Sequence, residues 1–263
     1  MPVGGFLSCA LLAVALPVHF LEDLAFFSAY QSKGKIVEAA PILANYLSGD
    51  VEIGPFGRIG AFLWTYSSLT KERSDIHYQL CPEIDFGPKW AYDLKFCEGL
   101  KWKSAVSWWD ITQPSNTPGR RGADADTIYE VWYETSLENE YVVPTLRYRK
   151  ALIDNDWDYY RVGLMKPIKV VENLTLIPRV EAELGSQDFF DYRYGEMEGG
   201  RSHSGGLAAL LCRLCVSYAF AKNLNLRVEA TQFDLMSKDA RHQTHAPNRR
   251  DYLFYSVGLT YRF

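Results

Sequence analysis

Residues 76–96, IHYQLCPEIDFGPKWAYDLKF, place Ile76, Tyr78, Leu80, Pro82, Ile84, Phe86, Pro88, Trp90, Tyr92, Leu94 and Phe96 at alternate positions. Between them fall His77, Gln79, Glu83, Asp85, Lys89, Asp93 and Lys95. Successive side chains of a strand point to opposite faces, so this alternation predicts a strand that is apolar on one side and polar on the other. Shorter stretches repeat it. Leu174, Leu176, Pro178, Val180, Ala182 and Leu184 oppose Thr175, Arg179, Glu181 and Glu183. Leu224, Leu226, Val228 and Ala230 oppose Asn225, Arg227, Glu229 and Thr231. Leu210, Cys212, Leu214, Val216, Tyr218 and Phe220 oppose Arg213, Cys215 and Ser217, and Tyr129, Val131, Tyr133 and Leu137 oppose Glu130, Trp132, Glu134 and Ser136.

Connections between these runs alternate in length. Short turns fall near 95–99, 138–140, 171–173 and 221–223, and longer polar stretches near 112–125, 186–205 and 237–250. That rhythm predicts an antiparallel up-and-down barrel of about twelve strands, with tight turns at one rim and loops at the other. The expected spans are 26–36, 39–48, 56–68, 76–93, 100–111, 127–137, 141–153, 157–170, 174–185, 206–220, 224–236 and 252–263. No linker divides 26–263, which reads as one domain.

Polarity decides which way such a barrel faces. A soluble barrel would turn the aromatic stripes inward and the charges outward, yet a stripe as long as 76–96 exceeds the usual soluble strand. Only helices and closed barrels satisfy every backbone group within a bilayer. The pattern therefore predicts an all-β transmembrane barrel, apolar outside and polar within. Seventeen Tyr, fourteen Phe and seven Trp suit the aromatic belts of such a barrel. A net charge of −4 offers no basic face for nucleic acid.

Residues 1–22 precede the predicted barrel. Residues 2–21 carry no acid, Lys or Arg, and Ala13-Val14-Ala15 fits a small-x-small cleavage site. They read as a secretory signal without its basic start, or as an N-terminal hydrophobic segment. Of the five cysteines, Cys212 and Cys215 lie three apart in a strand pattern, hence on opposite faces, and do not read as a metal or disulfide pair.

The last residues, SVGLTYRF, place Leu259, Tyr261 and the terminal Phe263 on one face. This ending resembles the C-terminal assembly signal of Gram-negative outer-membrane β-barrel proteins, and the strand rhythm extends the resemblance over most of 26–263. The resemblance implies residence in the outer membrane, contact with its lipid, and recognition by the barrel assembly machinery. The layout is similar to that of the small porin-like barrels.

In that orientation the lumen is lined by Glu83, Asp85 and Lys89, by Lys101 and Lys103, by Glu130 and Glu134, and by Arg147, Arg149 and Arg161. Arg179, Glu181, Glu183, Arg213, Arg227, Glu229 and Arg262 continue it. Charges of both signs on neighbouring strands would cross-brace the wall by ion pairs, and would set ion preference along an aqueous path. The expected function is passive, porin-like passage of small polar solutes or ions, with no cofactor or metal. The alternatives are a lipid-modifying outer-membrane enzyme, phospholipase-like or lipid A deacylase-like, and a structural or adhesive barrel. The best candidate for a nucleophile beside a base is Gly200-Arg201-Ser202-His203-Ser204-Gly205, a glycine-rich loop stretch. His242 and His245 read as loop residues, and GADAD at 122–126 lacks the glycine and terminal glutamate of a calcium loop.

Overall fold

The computed structural model of the chain describes residues 17–32, 35–38, 41–69, 83–112, 127–152, 156–194, 202–237 and 251–263. In order the strands are β1 (Val18–Phe27), β2 (Tyr30–Ser32), β3 (Lys35–Glu38), β4 (Ile42–Glu52), β5 (Arg58–Ser68), β6 (Glu83–Cys97), β7 (Leu100–Thr112) and β8 (Thr127–Glu138). There follow β9 (Val143–Ala151), β10 (Asp158–Met165), β11 (Ile168–Val171), β12 (Leu174–Gly185), helix α1 (Gln187–Tyr194), β13 (Gly206–Ala221), β14 (Leu224–Leu235) and β15 (Asp251–Arg262).

Every sequential barrel pair is antiparallel, and β1 pairs with β4 on one side and β15 on the other, which closes the sheet. β10 and β11 act as one strand interrupted at 166–167, where Pro167 has no N–H to give a ladder; both pair with β12. Counted so, the barrel has twelve strands. β2 and β3 form a separate small hairpin at the loop rim.

The opposite rim carries the tight turns. Cys97 pairs with Leu100, so Glu98 and Gly99 form a two-residue turn, with Gly99 at φ 80° as such a turn requires. Both chain ends of the barrel sit at this rim, where the Phe263 N–H donates to the Phe20 carbonyl at 3.0 Å.

The first two strands differ from expectation. β1 begins at Val18 rather than 26, and residues 18–22, expected in the N-terminal segment, pair with β4. In VHFLEDLAFF the outward Phe20, Leu24 and Phe26 alternate with an inward set that includes Leu21, Ala25 and Phe27. Apolar residues on both faces hide the period of two, so the strand reads as part of an apolar leader. The stretch at 26–36 is instead the passage from β1 into the β2–β3 hairpin. Residues 33–34, 39–40, 76–82 and 153 of four expected strands lie outside the described residues.

Polarity is inverted relative to a soluble barrel. Val180 is 57% exposed while Glu181 beside it is 5% exposed, and Glu183 is fully buried. Val228, Leu253, Tyr255, Val257 and Leu259 are likewise exposed. Cys212 is exposed and Cys215 buried, on opposite faces as their spacing requires.

Candidate functional site

The cross-strand register decides which lumen side chains meet, because direct and diagonal neighbours on one face lie within reach of long side chains. Along β9–β14 the neighbours are mostly arginine against glutamate. Arg161 pairs with Glu183, which also accepts from Gln31 Nε2 at 3.1 and 3.2 Å. Glu181 receives Arg213 Nε at 2.8 Å and Arg179 at 3.7 Å, and Arg213 also reaches Glu229 at 3.2 Å. Arg147 pairs with Glu134, and Arg227 with Asp23. On the facing wall Lys89 meets Asp50 at 3.0 Å, Lys101 meets Asp93 at 2.7 Å, and Lys103 meets Glu138 at 2.6 Å.

Most of the residues expected on the polar face thus meet one another in separate ion-paired groups along the inner wall. Asp85 and Glu130 are buried, and Glu130 accepts from Trp132 Nε1 at 2.6 Å. Arg149 is 6% exposed and lies over Trp132 rather than on an acid. Arg262 stands at the short-turn rim, with Leu21 as its register partner. Glu83 opens β6, but its side chain is outside those described.

Several members escaped sequence reasoning. Asp23 lies on β1 before the expected first span at 26–36, and Asp50 lies on β4 beyond the expected span 39–48. Asp93 and Arg58 also line the lumen, and Asp93 was visible in the polar set of 76–96.

The charged lining encloses a cavity of roughly 320 Å³ in the half toward the short turns. Its charged residues are Arg58, Asp93, Lys103, Glu134, Arg147, Arg161, Arg179 and Glu181. Five cations face it against three anions, though Lys103 and Arg161 are also held by Glu138 and Glu183 just behind the lining.

The half toward the loops is filled differently. Helix α1 folds into the lumen: Phe189 and Phe190 are buried against Trp157, Tyr159, Leu211, Phe233 and Phe254. Tyr192 touches this cluster and a second one, of Phe62, Trp109, Ile111 and Ile128, so the helix spans from one wall to the other. Ser186 Oγ accepts the Phe189 N–H at 3.2 Å as an N-cap and the Asp158 N–H at 3.1 Å, which ties the helix start to β10. Gly185 lets the Phe189 ring seat against the strand, since a Cβ there would stand 2.1 Å from Phe189 Cδ1.

Of the 200–205 stretch the structure describes residues 202–205. His203 is buried beside Phe190, its N–H donating to Asp191 Oδ1 at 2.7 Å, while Ser202 and Ser204 are exposed. His242, His245 and 122–126 lie outside the described residues.

No family model matches the chain, and no curated protein matches it by sequence. Solved structures match its shape. An outer-membrane channel of Pseudomonas putida F1 superposes with a TM-score of 0.57 at 10% identity, over 94% of this chain and 95% of that one. The NanC porin gives 0.52 at 11% identity, over 91% and 98%. The KdgM porin in complex with disordered oligogalacturonate gives 0.50 at 11%, over 93% and 99%. At such identities the likeness is one of architecture, and the architecture of this chain is the closed twelve-strand barrel of the outer-membrane porins.

Proposed function

We propose that the chain is a Gram-negative outer-membrane channel for passive passage of small polar solutes or ions. The observation that carries this reading is the charged cavity of roughly 320 Å³ inside an apolar-coated closed barrel. Rings of charge in a narrow aqueous path select among ions by sign, and the excess of cations at this cavity favours anions. The porin neighbours, one of them holding an oligogalacturonate, fit a role in solute passage. In this reading α1 narrows the outer half and the cavity forms the inner vestibule.

Leu259, Tyr261 and Phe263 serve as the assembly signal, and the exposed apolar stripes contact lipid. The segment ending at Ala13-Val14-Ala15 is a cleavable secretory signal, and cleavage there would leave β1 whole.

Planar-bilayer recording of refolded protein tests the channel. Discrete conductance steps are expected, with a preference for anions that falls when Arg147→Gln and Arg179→Gln are combined. A folded barrel that passes no current, or whose selectivity ignores these substitutions, would overturn the reading.

A further inference from the structure

One level above the charged cavity, toward the loop rim, three residues from adjacent strands share a rung. Trp132 is the register partner of Arg149, and Arg149 that of Tyr159. The Arg149 guanidinium carbon lies 3.3 Å from the centre of the Trp132 ring and 5.6 Å from that of Tyr159. The far side of Trp132 is covered by Trp109, stacked at 3.5 Å. Arg147 approaches the same Trp132 ring at 5.8 Å, and Arg161 Nε donates to Tyr159 Oη at 3.2 Å. Three guanidinium groups therefore converge on one aromatic pair.

Their partners are unequal. Of the lumen arginines on β9–β14, Arg147, Arg161, Arg179, Arg213 and Arg227 each have a carboxylate within ion-pair distance. Among the described residues Arg149 has none, and its buried Nε makes no hydrogen bond. Glu130, diagonal to it, is turned to Trp132 Nε1. A buried cation without an anion is costly. Stacking on Trp132 offsets part of that cost and holds the guanidinium flat, with its edge left to bind in plane. A planar fork of N–H donors matches a carboxylate bidentately.

We propose that Arg149, flanked by Arg147 and Arg161, is an anion subsite at the ceiling of the cavity that takes the carboxylate of a small organic acid. The subsite deepens the channel reading, on which it rests for the solute's route. Arg147 and Arg161 line the cavity and are satisfied by Glu134 and Glu183, so they add attraction without competing for the bound oxygens. Arg149 supplies the unpaired charge.

Titration calorimetry on the refolded barrel, with malonate as probe and the neutral malonamide as control, tests this directly. Malonate should bind, more weakly as salt rises, and malonamide should not. Arg149→Gln should weaken malonate by roughly tenfold or more, the loss expected for a charge-assisted hydrogen bond. Arg149→Lys keeps the charge without the fork and should fall between. Folding of each variant is checked by heat-modifiable migration, and if Arg149→Gln does not fold, Arg149→Lys carries the comparison. Equal binding of malonate and malonamide, absence of malonate binding by the native barrel, or unchanged affinity in the variants would reduce Arg149 to a structural stack and overturn the subsite. The calorimetry needs no current: malonate binding by a non-conducting barrel would sink the channel and keep the subsite, and conduction without binding would do the reverse.

Discussion

Val180 and Glu181 are chain neighbours in β12 that meet opposite surroundings. Val180 faces outward, where an arginine at mid-bilayer depth costs about 2–4 kcal/mol. Val180→Arg should therefore lower the yield of heat-resistant folded barrel sharply. Alternation alone suggests that Glu181→Gln, on the lumen side, leaves folding nearly untouched. The contacts say otherwise: Glu181 is buried between Arg179 and Arg213, and Arg179 has no other acid within ion-pair distance among the described residues. Removing its charge should cost about 1–3 kcal/mol in denaturant unfolding. Glu229→Gln should cost less, because Arg213 retains Glu181. A period of two decides the side of each residue, so the lumen charges were legible. Partners depend on register and on side-chain reach, which no single strand encodes. Hence Arg227, on the strand between those of Arg213 and Arg262, is found with Asp23 from the opposite end of the chain.

Among the elements, the strands from β6 onward lie close to where their alternation and turns place them, apart from the break at Pro167. Helix α1 was not legible. Its eight residues, QDFFDYRY, are weakly amphipathic and too few to be stable alone. Their three buried or half-buried aromatics, Phe189, Phe190 and Tyr192, are the signal that a polar loop would not need, and the lumen cluster supplies the packing that makes the helix form. Because Phe189 occupies the space a Cβ at residue 185 would take, Gly185→Ala must displace that ring. Single-channel conductance should rise in this variant, with β12 otherwise intact. Conductance equal to that of the native barrel would show that the helix does not set the restriction.

At the scale of the whole molecule, the strand count was legible because each hairpin is local, while the seam that joins first strand to last was not. That seam has its own fastening. Asp23 on β1 reaches across β15 to Arg227 on β14, and Thr260 Oγ1 donates to Asp23 Oδ1 at 3.0 Å. Gly258 is the register partner of both Ala25 and Arg227, so the pair crosses β15 beside a residue without a side chain. Asp23 and Thr260 are 237 residues apart in the chain. Contacts of such separation carry the largest loop-closure entropy and form slowly. Every other hairpin can zip from its own turn, but this fastening waits until both terminal strands are in place. Asp23→Asn should accordingly slow the appearance of the heat-resistant band during refolding into vesicles, while the final yield of that band stays close to native. An unchanged refolding time course would show that the seam is not the slow step. The Asp23–Arg227 pair thus acts as a clock mark: its formation dates the moment at which an open ribbon, with two unpaired edges exposed to every other chain, becomes a particle that no longer has an edge to offer.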